Sequence, residues 1–403
     1  MDLSLRAAAA EQPQQLAILS DGVQVTNGEL WQRVAQACAE LKAQGLTSNS
    51  RVAISARNRL ETVVSLLALI ELGIPFVPLH PRWTEREVAV VLADARPMRV
   101  LRDEDLDGLG TQRRKIDLHN LDYGSVDARA TLAILYTSGT TGTPKGAVLS
   151  RAAFMASAAG SAASLGWHAE DRWLLCLPLC HIGGLSIVTR CLLARRPIVL
   201  LPRFDVDAVL AAIDRDRTTL ISVVPTMLRA LLDAEGGPLM RRLRAVISGG
   251  AATPFSLLEQ AVAQGVNVLT TYGLTEACSQ VTLQKWQAQP QARRGSGAPL
   301  DGVQLLLRGD DDAPLGPGEA GRICVRGPTL MDGYLHRAPL GDGFFDTGDL
   351  GELDERGVLH VHARRTELIV TGGENVYPAE VEQVLMEVPG IRRALVFGVP
   401  DAK

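Results

Sequence analysis

The chain has 403 residues, 46% of them hydrophobic and only 4% aromatic, and 41 Lys and Arg stand against 45 Asp and Glu for a net charge of −4. That length exceeds a single core and implies two or three domains, while the near-balanced charge and scarce aromatics exclude a nucleic-acid footprint or a charge-driven membrane anchor. With 38 Gly and 21 Pro, the composition is that of a loop-rich globular enzyme rather than a disordered chain.

The N-terminus carries one arginine in a short alanine run before Glu11-Gln12-Pro13, which is no secretory signal. The longest apolar stretches, Val63–Leu79 and Leu174–Val188, are broken by Glu71 and Pro75 and by Pro178 and His181. Both fall short of the ~18 uninterrupted residues a membrane helix needs, so no membrane insertion is expected. Six cysteines (Cys38, Cys176, Cys180, Cys191, Cys278, Cys324) include no Cys-x-x-Cys pair and predict buried reduced thiols in a cytoplasmic protein. Cys176, Cys180 and His181 lack an evident fourth ligand, and no metal is expected there.

Val52–Ser55, Val63–Leu72, Ile74–Leu79 and Glu85–Ala95 alternate strand and helix and predict one α/β unit. From Leu132 to about Gly273 a second unit is expected, with buried strands at Trp173–Leu177, Pro197–Leu201, Leu220–Val224, Ala245–Ser248 and Val266–Thr270. Between them Val206, Val209, Leu210 and Ile213 share one helical face, and Thr253-Pro254 reads as a helix N-cap with proline in the first turn. After Pro299 the texture becomes β-rich, with short strands at Gln304–Leu307, Gly321–Arg326 and Val358–His362. Beyond Arg364-Arg365 a strand at Leu368–Thr371, a helix at Pro378–Val388 and a strand at Ala394–Val399 form a unit that looks incomplete at Lys403.

The fold class is therefore α/β. A large domain over 1–363 holds two doubly wound α/β subdomains (about 1–298) and a small β-barrel-like subdomain (about 299–363). A hinge at 364–366 and an incomplete small α+β C-terminal domain over 367–403 follow.

The strongest chemical signal is Tyr136-Thr137-Ser138-Gly139-Thr140-Thr141-Gly142-Thr143-Pro144-Lys145-Gly146, directly after the apolar run Leu132–Leu135. Glycines let backbone N–H groups turn inward, hydroxyls donate to phosphate oxygens, and Lys145 adds positive charge. Pro144 stands where a Walker A loop requires its second glycine, so this is a polyphosphate loop of another kind.

That segment resembles the phosphate loop of the adenylate-forming superfamily: acyl-CoA synthetases, peptide-synthetase adenylation domains and luciferases. Further stretches resemble its other motifs in order: Ser248-Gly249-Gly250-Ala251, Tyr272-Gly273-Leu274-Thr275-Glu276, Phe345-Asp346-Thr347-Gly348-Asp349, and Arg364 through Gly372-Gly373-Glu374-Asn375-Val376-Tyr377-Pro378. The resemblance covers essentially the whole chain. It implies a carboxylate attacking the ATP α-phosphate to give an acyl-adenylate and pyrophosphate, after which a thiol displaces AMP.

The resemblance also implies roles. Glu276 would help hold Mg²⁺, Thr275 would contact the α-phosphate, and Thr137 to Lys145 (with Ser138, Gly139, Thr140, Thr141 and Gly142) would cradle the β- and γ-phosphates. Tyr272 would stack on adenine, with Gly249, Gly250 and Ala251 lining the base and Thr271 and Gly273 flanking it. Asp349 would accept from the ribose hydroxyls, and Arg364 would contact the same ribose. Gly372 and Gly373 would lie near the pantetheine path of coenzyme A. ATP and CoA would be co-substrates.

The loop Leu177–Ser186 begins where a strand ends, the place α/β sheets put ligands. The stretch His181-Ile182-Gly183-Gly184-Leu185-Ser186, with Gly273 to Gln280, most resembles the 2-succinylbenzoate–CoA ligases of menaquinone biosynthesis. His181 would orient the attacking carboxylate, with Gly184 and Ser279 also at the acid. The substrate implied is an aromatic dicarboxylate whose second anion needs a cation or several donors. Arg190, nine residues after His181, is the candidate cation; a solvated arginine on the following helix is the alternative.

Other acyl- or aryl-CoA ligases, a carrier-protein-loading adenylation domain and a non-catalytic nucleotide-binding remnant are the competing readings, and a homodimer is an expectation of the family. Relatives carry a C-terminal lysine beyond the point where this sequence ends, and Thr366 stands at the hinge where many have Asp or Lys. The resemblance therefore implies nucleotide and acyl-adenylate binding with weak adenylation, a missing transition-state cation costing about 2.7–4 kcal/mol.

Overall fold

A computed structural model describes residues 2–110, 127–137 and 144–364, and beyond them 369–371, 374–376, 378–386, 388, 390–391 and 394–399. Two large sheets carry the molecule. The first has six strands in the order Gly333–Tyr334, Lys145–Ser150, Thr131–Thr137, Phe76–Leu79, Val52–Ser55 and Arg99–Leu101. Its N-terminal strands are parallel, joined by helices such as Leu60–Glu71, whose residues are buried on nearly every face. A helix apolar all round belongs in the interior.

Thr131–Thr137 and Lys145–Ser150 form an antiparallel hairpin within this first sheet. The expected start of the second unit at Leu132 is thus corrected. Parallel pairing with Phe76–Leu79 and antiparallel pairing with Lys145–Ser150 place Thr131–Thr137 in the N-terminal sheet.

The second sheet has nine strands in the order Ala298–Pro299, Ser279–Leu283, Val268–Leu274, Ala245–Ser248, Leu220–Val223, Trp173–Leu175, Ile198–Leu200, Leu16–Ser20 and Val23–Thr26. Its centre is parallel and its strands are fully buried, as continuous apolar runs require. The N-terminal hairpin covers one edge, a pairing that no local pattern announced. Helix Phe255–Ala263 has Pro254, not Thr253, at its N-cap. The Thr253 hydroxyl is instead engaged with Ser248 Oγ at 2.8 Å, which corrects the expected cap.

Helix Ile182–Ala194 is buried along almost its whole length in the main core, together with Phe76, Phe154 and Trp173. All six cysteines are free and buried. Strands Gln304–Arg308, Gly321–Arg326, Phe345–Leu353 and Leu359–Arg364 make a four-stranded antiparallel sheet. Beyond it lie a hairpin of Ile369–Thr371 with Glu374–Val376 and the helix Pro378–Met386. Residues 394–399, expected as a strand, form no ladder among the described residues, and Leu395 and Phe397 are 80% and 69% exposed. Apolar content alone does not make a strand; a ladder partner does.

Candidate active site

The site forms at the carboxyl ends of the parallel strands of the second sheet, where the hairpin of the first sheet and the four-stranded sheet also converge. At one end, Gly249 follows strand Ala245–Ser248 so closely against Thr271 that a Cβ there would stand 2.6 Å from Thr271 Cγ2. Gly250 has a φ of +78°, a left-handed conformation that glycine adopts without penalty. Ala251 is exposed beyond it. Thr271 Oγ1 donates to the Thr282 carbonyl at 2.6 Å, so this hydroxyl is occupied by the sheet itself.

Tyr272 is 9% exposed, and its phenol donates to Asp349 Oδ2 at 2.6 Å. Burial and the Asp349 charge push the phenol well above its ordinary range, so it stays a donor. Asp349 faces Arg364 in the antiparallel register of the four-stranded sheet, and Gly348 beside it takes a φ of +78°. The two acidic and basic ribose candidates are therefore set opposite each other by strand pairing.

The chain then turns sharply between strands Val268–Leu274 and Ser279–Leu283. Thr275–Ala277 is one turn of 3₁₀ helix, and Cys278 and Ser279 follow with φ of 52° and 94°. Two successive non-glycine residues at positive φ are strained and persist only where neighbours hold them. Ser157 Oγ does so, donating to the Cys278 carbonyl at 2.7 Å. Gly273 makes the turn sterically feasible: a Cβ there would fall 1.9 Å from the Ser279 carbonyl oxygen. The turn presents Thr275 and Glu276 at its tip. Glu276 Oε1 accepts from the Tyr334 phenol at 2.8 Å, and the Lys145 ammonium stands 5.6 Å from the centre of the Tyr334 ring. Thr137 and Lys145 are register partners at the mouth of their hairpin.

At the other end His181 is the N-cap of helix Ile182–Ala194, with Gly184 packed so tightly that a Cβ would lie 2.3 Å from the Pro178 carbonyl oxygen. His80 stands 5.4 Å from His181, ring centre to ring centre, and the ligating atoms of His80, Cys180 and His181 lie within 4.8 Å of one another. Cys176 is not part of this group. His80 Nδ1 already accepts the Arg82 backbone N–H at 3.0 Å. Burial lowers both imidazoles and raises the Cys180 thiol to about 12, so the cluster is uncharged at neutral pH.

Arg190 is not the solvated arginine of the alternative reading: it is 4% exposed. Its Nη2 donates to Ser279 Oγ at 3.2 Å, its guanidinium lies over Trp173, and burial pushes it down to about 10. Among the described residues no acidic side chain forms an ion pair with it, and its Nε is buried without a partner. Ser186 Oγ, which donates to the Gly183 carbonyl at 3.2 Å, stands 3.4 Å from Ser279 Oγ.

The protein-family model "AMP-binding enzyme" matches residues 5–335. The chain belongs to this family. The AMP-binding enzymes it resembles include a 2-succinylbenzoate–CoA ligase of Bacillus velezensis, 37% identical over 97% of this chain and 83% of that protein. A Bacillus cereus protein of the same name is 34% identical over 97% and 84%. Among solved structures, the o-succinylbenzoate CoA synthetase of Bacillus subtilis with its acyl-adenylate intermediate superposes with a TM-score of 0.88 at 34% identity, covering 98% of this chain and 85% of that one. The same enzyme with ATP and magnesium gives 0.89 at 32% over 99% and 87%. ATP-bound MatB of Rhodopseudomonas palustris gives 0.88 at 29% over 100% and 86%. The backbone is thus shared across AMP-binding enzymes of different names, and the substrate must be argued from side chains.

Sequence reading located Tyr272, Asp349, Thr275, Glu276, Lys145 and Arg190; the fold joins Tyr272 to Asp349, brings Glu276 and Lys145 to Tyr334, and sets Arg190 against Ser279. Ser138, Gly139, Thr140, Thr141, Gly142, Thr366, Gly372 and Gly373 lie outside the described residues. Sequence reading missed Tyr334, His80 and Asn58. Asn58 donates to the Leu177 and Leu201 carbonyls at 2.9 and 3.3 Å and accepts from Leu179 N–H at 3.1 Å, clamping the loop that carries His181. A lone polar residue between a strand and a helix carries no local signal of such a contact.

Proposed function

We propose that this chain is an AMP-forming acid–thiol ligase that converts 2-succinylbenzoate to 2-succinylbenzoyl-CoA, using ATP, Mg²⁺ and CoA. The carrying observation is a near-full-length match to enzymes of that name, including a structure holding the corresponding acyl-adenylate. In the first step a carboxylate oxygen of the succinyl group forms a bond to the α-phosphorus and pyrophosphate leaves. In the second the CoA sulfur bonds to the acyl carbon and AMP leaves.

Asp349, with Arg364, would hold the ribose, with Tyr272, Gly249, Gly250 and Ala251 about the base. Thr137 to Lys145 would take the outer phosphates, and Thr275 the α-phosphate. Glu276 fits a hard cation: its carboxylate is fixed through one oxygen by Tyr334 and keeps the other for a ligand. When bound, Mg²⁺ neutralises phosphate charge, which favours approach of a second anion. His181, neutral at physiological pH, would orient the attacking carboxylate. Gly372 and Gly373 would lie along the pantetheine arm.

The aromatic carboxylate is assigned to Ser279. Its Oγ accepts from Arg190, whose charge makes the serine hydroxyl a stronger donor toward a substrate oxygen. Arg190 then acts behind Ser279, lending charge to that donor. The same proposal places the enzyme in the cytoplasm, in keeping with the absence of any helix long and apolar enough to cross a membrane among the described residues. It also includes a homodimer, which light scattering measures directly. The deciding experiment is product mass analysis after incubation with ATP, Mg²⁺, CoA and a panel of aryl and aliphatic acids. AMP and 2-succinylbenzoyl-CoA in preference to other thioesters are expected; ADP, or a different preferred acyl group, overturns the proposal.

A further inference from the structure

Tyr334 belongs to none of the motifs above, yet it touches both charged groups at the phosphate end of the cleft. Its phenol donates to Glu276 Oε1 at 2.8 Å, and the Lys145 ammonium lies 5.6 Å from its ring centre. The backbone fixes it on both sides. Gly333–Tyr334 pairs with Ala147 and Val148 of the strand that begins at Lys145, and Leu335 N–H donates to the Gly146 carbonyl at 2.8 Å. Met331 N–H donates to the Glu276 carbonyl, also at 2.8 Å. A single short strand is thus tied to the lysine hairpin and to the turn that carries Glu276.

We infer that Tyr334 is a positioning residue that sets the Glu276 carboxylate for the divalent cation and holds it in register with Lys145. A glutamate side chain that nothing holds samples several rotamers, and that freedom must be frozen before it can act as a ligand. The phenol removes that freedom beforehand by occupying one carboxylate oxygen. The other oxygen is left to the cation. The ring meanwhile attracts the lysine ammonium, 5.6 Å from its centre, so the two groups that meet the polyphosphate are linked through one rigid aromatic side chain. This inference rests on the reading of Glu276 as the cation-holding acid.

The test is calorimetric titration of the full chain with ATP across a series of Mg²⁺ concentrations and in EDTA, with no acid or CoA present. Tyr334→Phe keeps the ring and removes only the hydroxyl. We expect the Mg²⁺ concentration giving half the maximal gain in ATP affinity to rise about tenfold, the loss of one hydrogen bond to a charged group, with ATP affinity in EDTA unchanged. Tyr334→Leu, which also removes the ring, should weaken ATP binding in EDTA as well. Glu276→Gln serves as the reference. If Glu276→Gln shifts the Mg²⁺ dependence and Tyr334→Phe does not, the positioning role is overturned and the role of Glu276 stands. If Glu276→Gln leaves the dependence unchanged, the reading of Glu276 falls, and this inference with it.

Discussion

The Tyr272 phenol and the Asp349 carboxylate, 77 positions apart in sequence, meet at 2.6 Å and join the nine-stranded sheet to the four-stranded one. The bond is short and half-buried, and it points one oxygen of the proposed ribose acid. Removing the hydroxyl should therefore loosen nucleotide without removing the ring from the base. Tyr272→Phe is expected to raise the Kd for ATP and for AMP alike by about ten- to a hundredfold, since a hydrogen bond to a charged group contributes about 1.5–3 kcal/mol. Fluorescence or calorimetric titration checks it; equal affinities in both proteins would contradict the role.

Arg190 lies behind Ser279 and is fully buried with no paired acid among the described residues. Arg190→Ala should lower kcat/KM for 2-succinylbenzoate far more than for a monocarboxylate of similar size, by about 10- to 100-fold. Arg190→Met, which fills the space without charge, should match that catalytic loss while leaving the folded state at least as stable, because the desolvation cost of the cation disappears. Equal losses on the two acids would remove the argument for a second-carboxylate role.

Asn58 spans two carbonyls and one N–H across the junction between the first α/β unit and the His181 loop. Asn58→Ala leaves those buried groups unsatisfied, at a cost of about 1–3 kcal/mol in stability. Asn58→Asp should be worse, since it turns an acceptor toward both carbonyls. Thermal unfolding gives the first number, and a raised KM for the acid with KM for ATP unchanged would locate the loop displacement.

His181 is held below its ordinary 6.5 by burial first and then by His80 and Arg82; the thiol of Cys180 beside it stays neutral. The folded state thus binds protons less readily than the unfolded chain. The stability from this histidine is full above about pH 6.5 and is lost as pH falls through the lower folded value. The acid limb of kcat/KM for the carboxylate should accordingly fall below pH 6.5. Arg82→Ala should move it upward by removing a neighbouring positive charge. Histidine proton resonances followed by NMR titration would report the same displacement independently of turnover.

Much of this protein could be read along the chain because the relevant contacts are local. The phosphate-loop sequence, the Thr275-Glu276 pair and the Gly249-Gly250 pair are short runs that residue type and order alone pick out. Parallel strands in the second sheet declare themselves as unbroken apolar runs for the same reason. Boundaries slipped where a neighbour decided: Thr253 bonds Ser248 instead of capping its helix, and Ala394–Val399 has no ladder partner among the described residues.

The sequence by itself determined the α/β class, the family and the groups available for chemistry. Only the tertiary structure decided that strand Thr131–Thr137 joins the N-terminal sheet, that Arg190 is desolvated behind Ser279, and that Tyr334 lies between Lys145 and Glu276. The physical reason is range. Propensity, capping and turn geometry act over a few residues, whereas burial and hydrogen bonds between elements arise only once distant segments share one desolvated space.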